Sequence, residues 1–258
     1  MEDAVHIAKS VELECREAVE LNDDRDAQSF HPSVDHAEIV LIRHGQTDWN
    51  VDRRIQGQSD VKLNEVGRQQ TRAVADRLSK EREISAIYSS DLKRAIETAE
   101  VIAATCGVRE VIKDPDLRVQ NPGKLQGLSS KEAASLYPQI YEAYRSRSCD
   151  QEMPKRILDS WRAWTSTWFF KGESKYQVYQ RCTSCLQNIG LKHKGERVVV
   201  VTHGTVHTSI YMQARPNEGP SPKVQNGSIS ILHLFSRDDW VVKSWGDHSH
   251  LNQTEEKL

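Results

Sequence analysis

The hydrophobic positions fall into two kinds of pattern. Ile39–Ile42 is an unbroken run of branched aliphatic residues, and Val198–Val201 is a second. Such runs mark strands buried on both faces, as in the parallel sheet of an α/β domain. Ala86–Tyr88 and Val111–Ile112 read as two shorter strands. Between the runs the apolar residues recur at helical spacing. A helix entered through Asn64–Arg68 carries Val74, Ala75 and Leu78 on one stripe, and another over Leu92–Cys106 carries Ala95, Ala99, Ile102 and Ala103. Gly172-Glu-Ser opens a long helix to about Lys194, and Val206–Gln213 forms the next. Ser228–Phe235 and Trp240–Trp245 read as a hairpin around Arg237-Asp-Asp. Ser129–Arg147 reads as helical with a break at Pro138. Trp161, Trp164 and Trp168 share one helix face and are expected to form part of a lid over the sheet.

The two strongest strands end alike. The first stops at Arg43-His44-Gly45 and the second at Thr202-His203-Gly204, so two parallel strands deliver a histidine followed by a glycine to one sheet edge. Open α/β sheets bind their ligands at the carboxyl ends of their strands. Arg94 lies in the first turn of its helix, where the helix dipole disfavours a cation. Its place is explained if it reaches an anion at the same edge. Arg43, His44, Arg94 and His203 make a compact cationic cluster suited to a dianionic phosphoryl group. A neutral imidazole is a nucleophile near neutral pH. The competing reading, a zinc site, wants a third ligand, and flanking arginines disfavour a dication. The cluster requires neither metal nor cofactor.

Composition narrows the classes further. The 258 residues suffice for one large α/β domain and are short for two. The formal net charge of −2 provides no field to recruit nucleic acid or anionic membrane. No apolar run is long enough to span a bilayer. Five cysteines, an odd count, argue against a disulfide framework, and Cys182 and Cys185 fall inside a helical pattern as two small buried residues. Residues 1–36 read as an acidic tail, partly disordered or loosely docked, without the basic start of a signal peptide. The default compartment is cytoplasmic, with the nucleus as the alternative. The expected assembly is a monomer or a homodimer.

The spaced motifs Arg43-His44-Gly45-x-Thr47-x-Trp49-Asn50, Arg54-x-Gln56-Gly57, Ser89-Ser-Asp-Leu-x-Arg94-Ala-x-x-Thr98-Ala and Thr202-His203-Gly204 resemble the histidine phosphatase superfamily. The resemblance is to its phosphoglycerate-mutase-like branch and runs from about Glu38 to Leu251. It implies an α/β fold of three layers, a mostly parallel sheet with helices on both faces. It also implies a phosphatase domain over residues 37–258 with a lid insertion at about 129–170. His44 would become phosphohistidine, Arg43, Arg94 and His203 would bind phosphate with Asn50 as a further donor, and Gln56 and Gly57 would line the entrance. Leu125-Gln-Gly127 is similar to a segment of mutases and plant phosphoserine phosphatases, which makes phosphoserine the first candidate among small phosphorylated metabolites.

One departure matters. Where the family carries a general-acid glutamate, this chain has Val119, which cannot protonate a leaving alkoxide. Asp116 and Glu173 are the nearest substitutes in sequence. The expected activity is therefore a phosphomonoesterase working through phosphohistidine, slow on alkyl phosphates unless another acid serves. The alternatives are an impaired member that binds a phosphorylated ligand or protein, and a phosphoglycerate-type mutase.

Overall fold

The computed structural model describes residues 35–145 and 172–252. Residues 1–34 of the expected tail, and Trp161, Trp164 and Trp168 of the expected lid, lie outside the described residues.

Strand β1 (Ala37–Arg43) and strand β4 (Arg197–Thr202) form the centre of the sheet. They pair in parallel, with Arg43 opposite Thr202, so their carboxyl ends finish level. Strand β2 (Ala86–Ser89) lies beyond β4, and β3 (Val111–Lys113) forms the edge, both parallel. On the other side β5 (Ile229–Leu234) and β6 (Trp240–Asp247) run antiparallel. The order is β3-β2-β4-β1-β5-β6.

The aliphatic runs have no polar alternation because helices cover both faces. On one face Val40, Ile42, Val199, Val201 and Ile87 meet Val74, Ala75 and Leu78 of helix α2 (Glu65–Leu78) and Ala95, Ala99 and Ile102 of helix α3 (Lys93–Cys106). On the other, Ile39, Leu41, Val198, Val200 and Tyr88 meet Val178, Cys182, Leu186 and Ile189 of helix α6 (Lys175–Lys192) and Val206 and Ile210 of helix α7 (Gly204–Ala214). Cys182 and Cys185 are buried, free thiols, as their place in the helical pattern predicts; burial pushes Cys182 up to about 12. The break at Pro138 separates helix α4 (Ser130–Leu136) from helix α5 (Pro138–Arg145).

Two local details matter near the strand ends. Thr47 caps a single turn, α1 (Asp48–Val51), in a reciprocal capping box with Asn50. Helix α3 starts without a side-chain cap at its N-cap residue, Leu92. Asp60, from the preceding loop, accepts from the Lys93 amide at 2.8 Å and balances the cations of that first turn. Asp91 instead pairs with Arg118.

Candidate active site

Four side chains named from the sequence come together at the carboxyl edge of β1 and β4. The rings of His44 and His203 lie edge to face, with centroids 5.1 Å apart. His44, Arg94 and His203 are each at most 3 % exposed. The neighbourhood is cationic. Burial first, then Arg94 and Arg43 for His44 and Arg94, His44 and Arg43 for His203, hold both imidazoles well below their ordinary pKa, so both are neutral near pH 7. Burial also lowers Arg43 and Arg94 to about 10, which leaves them charged.

The backbone fixes His44. Its amide donates to Thr202 across the ladder at 3.0 Å. Its Nδ1 lies 2.7 Å from the carbonyl oxygen of Gly45. A carbonyl only accepts, so Nδ1 carries the proton and the lone pair is on Nε2. The Asn226 side-chain amide donates to the carbonyl oxygens of His44, at 3.0 Å, and Gly45, at 3.3 Å. The amide of Gly45 donates to Thr98 Oγ1 of α3. Gly45 is needed because a Cβ there would overlap the carbonyl oxygen of Gly67, and Gly67 is needed because its own Cβ would overlap that of Gln46. The loop after β1 thus lies directly on the start of α2.

His203 Nε2 lies 2.9 Å from the hydroxyl of Ser90. That hydroxyl also accepts from the Leu92 amide, and with two lone pairs and one proton it can either donate to Nε2 or accept from it. His203 Nδ1 and the Nε atoms of Arg43 and Arg94 are buried without hydrogen-bond partners. Arg94 donates at 2.8 Å to the carbonyls of Ser59 and Gly57, and Arg43 Nη1 donates at 2.7 Å to that of Val224. Gly57 therefore anchors Arg94 through its backbone, at φ +51°. Gln56 Oε1 beside it is buried and unpartnered. Asn50 spends its carbonyl oxygen on Thr47 and Asn226. Only its amide hydrogens remain for an anion.

Val119 belongs to a segment tied to the residues on either side of His203. The Thr202 hydroxyl donates to the Leu117 carbonyl at 2.8 Å, and the Gln120 amide meets Thr205 Oγ1 at 3.5 Å, so contacts on either side of His203 bracket the 117–120 segment. Of the two proposed substitute acids, Glu173 is already engaged. Glu173 is held by Arg181 in a two-pronged pair at 2.6 and 2.8 Å, an arrangement matched to guanidinium and carboxylate. The same Arg181 ties down the carbonyls of Asp116, Arg118 and Val119. Asp116 itself is exposed in a short 3₁₀ turn.

Sequence reasoning gave no role to Ser90, which lies inside the Arg94 motif, or to Asn226, because those roles depend on tertiary contacts. Among the described residues no group of three or more His, Cys, Asp or Glu could hold a metal ion. No described helix is long and apolar enough to cross a membrane.

The chain is 50 % identical over 221 residues to phosphoglycerate mutase-like protein 4 of Arabidopsis thaliana, covering 86 % of this chain and 90 % of that protein. It is 46 % identical over 215 residues to a metal-independent phosphoserine phosphatase of the same plant, covering 83 % of each. Among solved structures, a mycobacterial glucosyl-3-phosphoglycerate phosphatase in complex with VO3 superposes with a TM-score of 0.65 at 28 % identity, covering 82 % of this chain and 99 % of that one. The family model of the histidine phosphatase superfamily (branch 1) matches residues 39–248, and the chain belongs to that family.

Proposed function

We propose that this chain is a phosphomonoesterase that passes the phosphoryl group of a small metabolite through His44. The observation that carries the reading is the His44 tautomer: Nδ1–H is spent on the Gly45 carbonyl, so Nε2 presents a lone pair beside two arginines and a second imidazole. Nε2 attacks phosphorus and the ester oxygen departs with its electron pair. Arg43, Arg94 and His203 stabilise the equatorial oxygens as their charge redistributes. The Asn50 amide is a further donor. Water then cleaves the phosphohistidine and regenerates the imidazole. Gln56 and Gly57 stand at the approach to Arg94. The step runs on protein cations alone.

The class of substrate follows the relatives, one of which is a metal-independent phosphoserine phosphatase. Phosphoserine is the first candidate to assay. Val119 qualifies this: the position carries no carboxyl group, and Glu173 is taken up by Arg181 rather than left to protonate a serine alkoxide. Alkyl phosphates should turn over slowly and aryl or acyl phosphates faster. That same observation favours a second reading, a member that chiefly binds phosphorylated ligands. A mutase fits less well, because return of the phosphoryl group to a second hydroxyl needs the same acid–base group. Phosphate release from p-nitrophenyl phosphate and phosphoserine, by the native chain and by His44→Ala, separates the readings. A phosphatase loses turnover on both substrates in the variant. Normal turnover by His44→Ala removes His44 from the mechanism. Binding without turnover by the native chain supports the second reading.

A further inference from the structure

The end of β1, which carries Arg43 and His44, is clasped by the turn at 224–228. The Gly227 amide donates to the Arg43 carbonyl at 2.9 Å, and the Arg43 amide donates to the Ser228 carbonyl at 3.2 Å. Between them the Asn226 side chain holds the carbonyls of His44 and Gly45, and the Val224 carbonyl receives Arg43 Nη1. Gly227 adopts φ +74°, a conformation open to glycine. Its amide is spent on Arg43, which leaves its carbonyl for a second partner.

That partner is His250, a buried residue of the short helix α8 (Ser249–Asn252). His250 Nε2 lies 2.9 Å from the Gly227 carbonyl, and Nδ1 lies 3.2 Å from Nη1 of Arg77 in α2. A carbonyl only accepts and a guanidinium only donates, so Nε2 carries the proton and Nδ1 the lone pair. An imidazole offers one donor and one acceptor on a rigid ring, and it joins a carbonyl to a guanidinium without adding charge. Burial lowers the His250 pKa, the Gly227 bond opposes this and Arg77 lowers it further, so the ring is neutral near pH 7. Arg77 is itself held in place: Nη1 pairs with Asp247 Oδ2 at 2.7 Å and Nε with Glu81 at 3.0 Å. The other oxygen of Asp247 accepts from the Ser249 amide at 3.0 Å, at the start of α8. The turn is also closed on by side chains, since a Cβ at Gly227 would meet Gln70 of α2 at 3.2 Å and Leu251 of α8 at 3.5 Å.

We propose that His250 is a positioning residue for His44, acting through the turn at 224–228. The chain of contacts is short. His250 holds Gly227, the neighbouring Asn226 holds the Gly45 carbonyl, and that carbonyl is the acceptor that keeps the His44 proton on Nδ1. Loosening the turn frees the Gly45 carbonyl, and His44 then loses the bond that leaves its Nε2 bare. His250 touches no reacting atom. Its importance for turnover rests on the function proposed above, whereas its hold on the His44 tautomer does not.

The test reads both the tautomer and the rate. Long-range ¹H–¹⁵N spectra of the native chain should show the His250 proton on Nε2 with a bare Nδ1, and the His44 proton on Nδ1. In His250→Leu the two His44 nitrogen shifts should move towards the average of the two tautomers. Single-turnover transfer from p-nitrophenyl phosphate to His44 should slow about tenfold in the same variant. His250→Gln keeps a donor for Gly227 and an acceptor for Arg77, and it should restore the His44 shifts and most of the rate. A role in packing alone predicts no such rescue, because glutamine fills the site no better than leucine. A native His250 with its proton on Nδ1 overturns the proposal, even if His250→Leu fails to fold. So does an unchanged His44 tautomer in a folded His250→Leu. The phosphatase reading is judged separately, by phosphohistidine formation. Formation at the native rate in His250→Leu sinks only the positioning role. A chain whose His44 shifts respond to His250→Leu but that never forms phosphohistidine sinks only the catalytic reading.

Discussion

Replacing Val119 by glutamate asks whether proton delivery is what this site lacks. The backbone of the 117–120 segment is anchored independently of the side chain, by Thr202 on Leu117 and by Arg181 on Asp116, Arg118 and Val119. Val119 is only partly buried, so Val119→Glu changes chemistry more than packing. A positioned general acid contributes about 10²- to 10⁴-fold, or about 3–5 kcal/mol of barrier, where the leaving group is a poor one. It contributes little where the leaving group departs as a stable anion. The surrounding cations Arg43, Arg94 and Arg181 favour the carboxylate over the acid, so the gain should sit at the low end near neutrality and grow as pH falls. Turnover of phosphoserine should therefore rise about 10²-fold at pH 6, with p-nitrophenyl phosphate changed less than tenfold. The assay is steady-state phosphate release on both substrates, from pH 5 to 8. Equal gains on both substrates would refute the reasoning. So would a native chain that hydrolyses phosphoserine as fast as the aryl ester, because another group would then be supplying the proton.

Two further outcomes follow from the same structure. His44, His203 and His207 are buried and neutral, with folded pKa values below the unfolded value of about 6.5. The unfolded chain therefore binds protons that the native chain refuses. Stability should be intact above about pH 6.5 and fall as pH drops below it, by about 1.4 kcal/mol per pH unit for each histidine until that histidine's own folded pKa is reached, about 4 for His207. Urea unfolding at several pH values checks this, and His207→Leu should remove one proton from the slope; a flat profile would contradict the burial argument. Gly67→Ala places a methyl against the Gln46 backbone, which cannot move without shifting Gly45 and His44. It should cost about 2–3 kcal/mol by thermal unfolding and lower turnover as well. An unchanged Tm would show that the loop yields.

The parts of this site that were legible in the sequence are those that local pattern determines. Two aliphatic runs ending in His-Gly could only be neighbouring buried strands, and the register of Arg43 with Thr202 brings His44 and His203 together. Arg94 was legible because a cation in a helix's first turn needs a reason. The missed features all depend on distant partners. Asp91 just ahead of the helix is claimed by Arg118, remote in sequence, and it is Asp60 that meets the helix start. Glu173 looked available as an acid until Arg181 was seen to hold it. His207 carried a signal, one helical turn after His203 in an apolar stretch, yet its contact with Trp245 emerges only when β6 folds back over α7.

The central claim is that His44 Nε2 carries the phosphoryl group. Mixing the native chain with an aryl phosphate, quenching in base within the first turnover and locating the phosphate by ³¹P NMR and peptide mass spectrometry tests it directly. The account predicts an acid-labile, base-stable phosphoramidate on the peptide containing His44, absent from His44→Ala and formed whether or not Val119 is replaced. Turnover with no trapped phosphohistidine, or phosphate found on another residue, would contradict it.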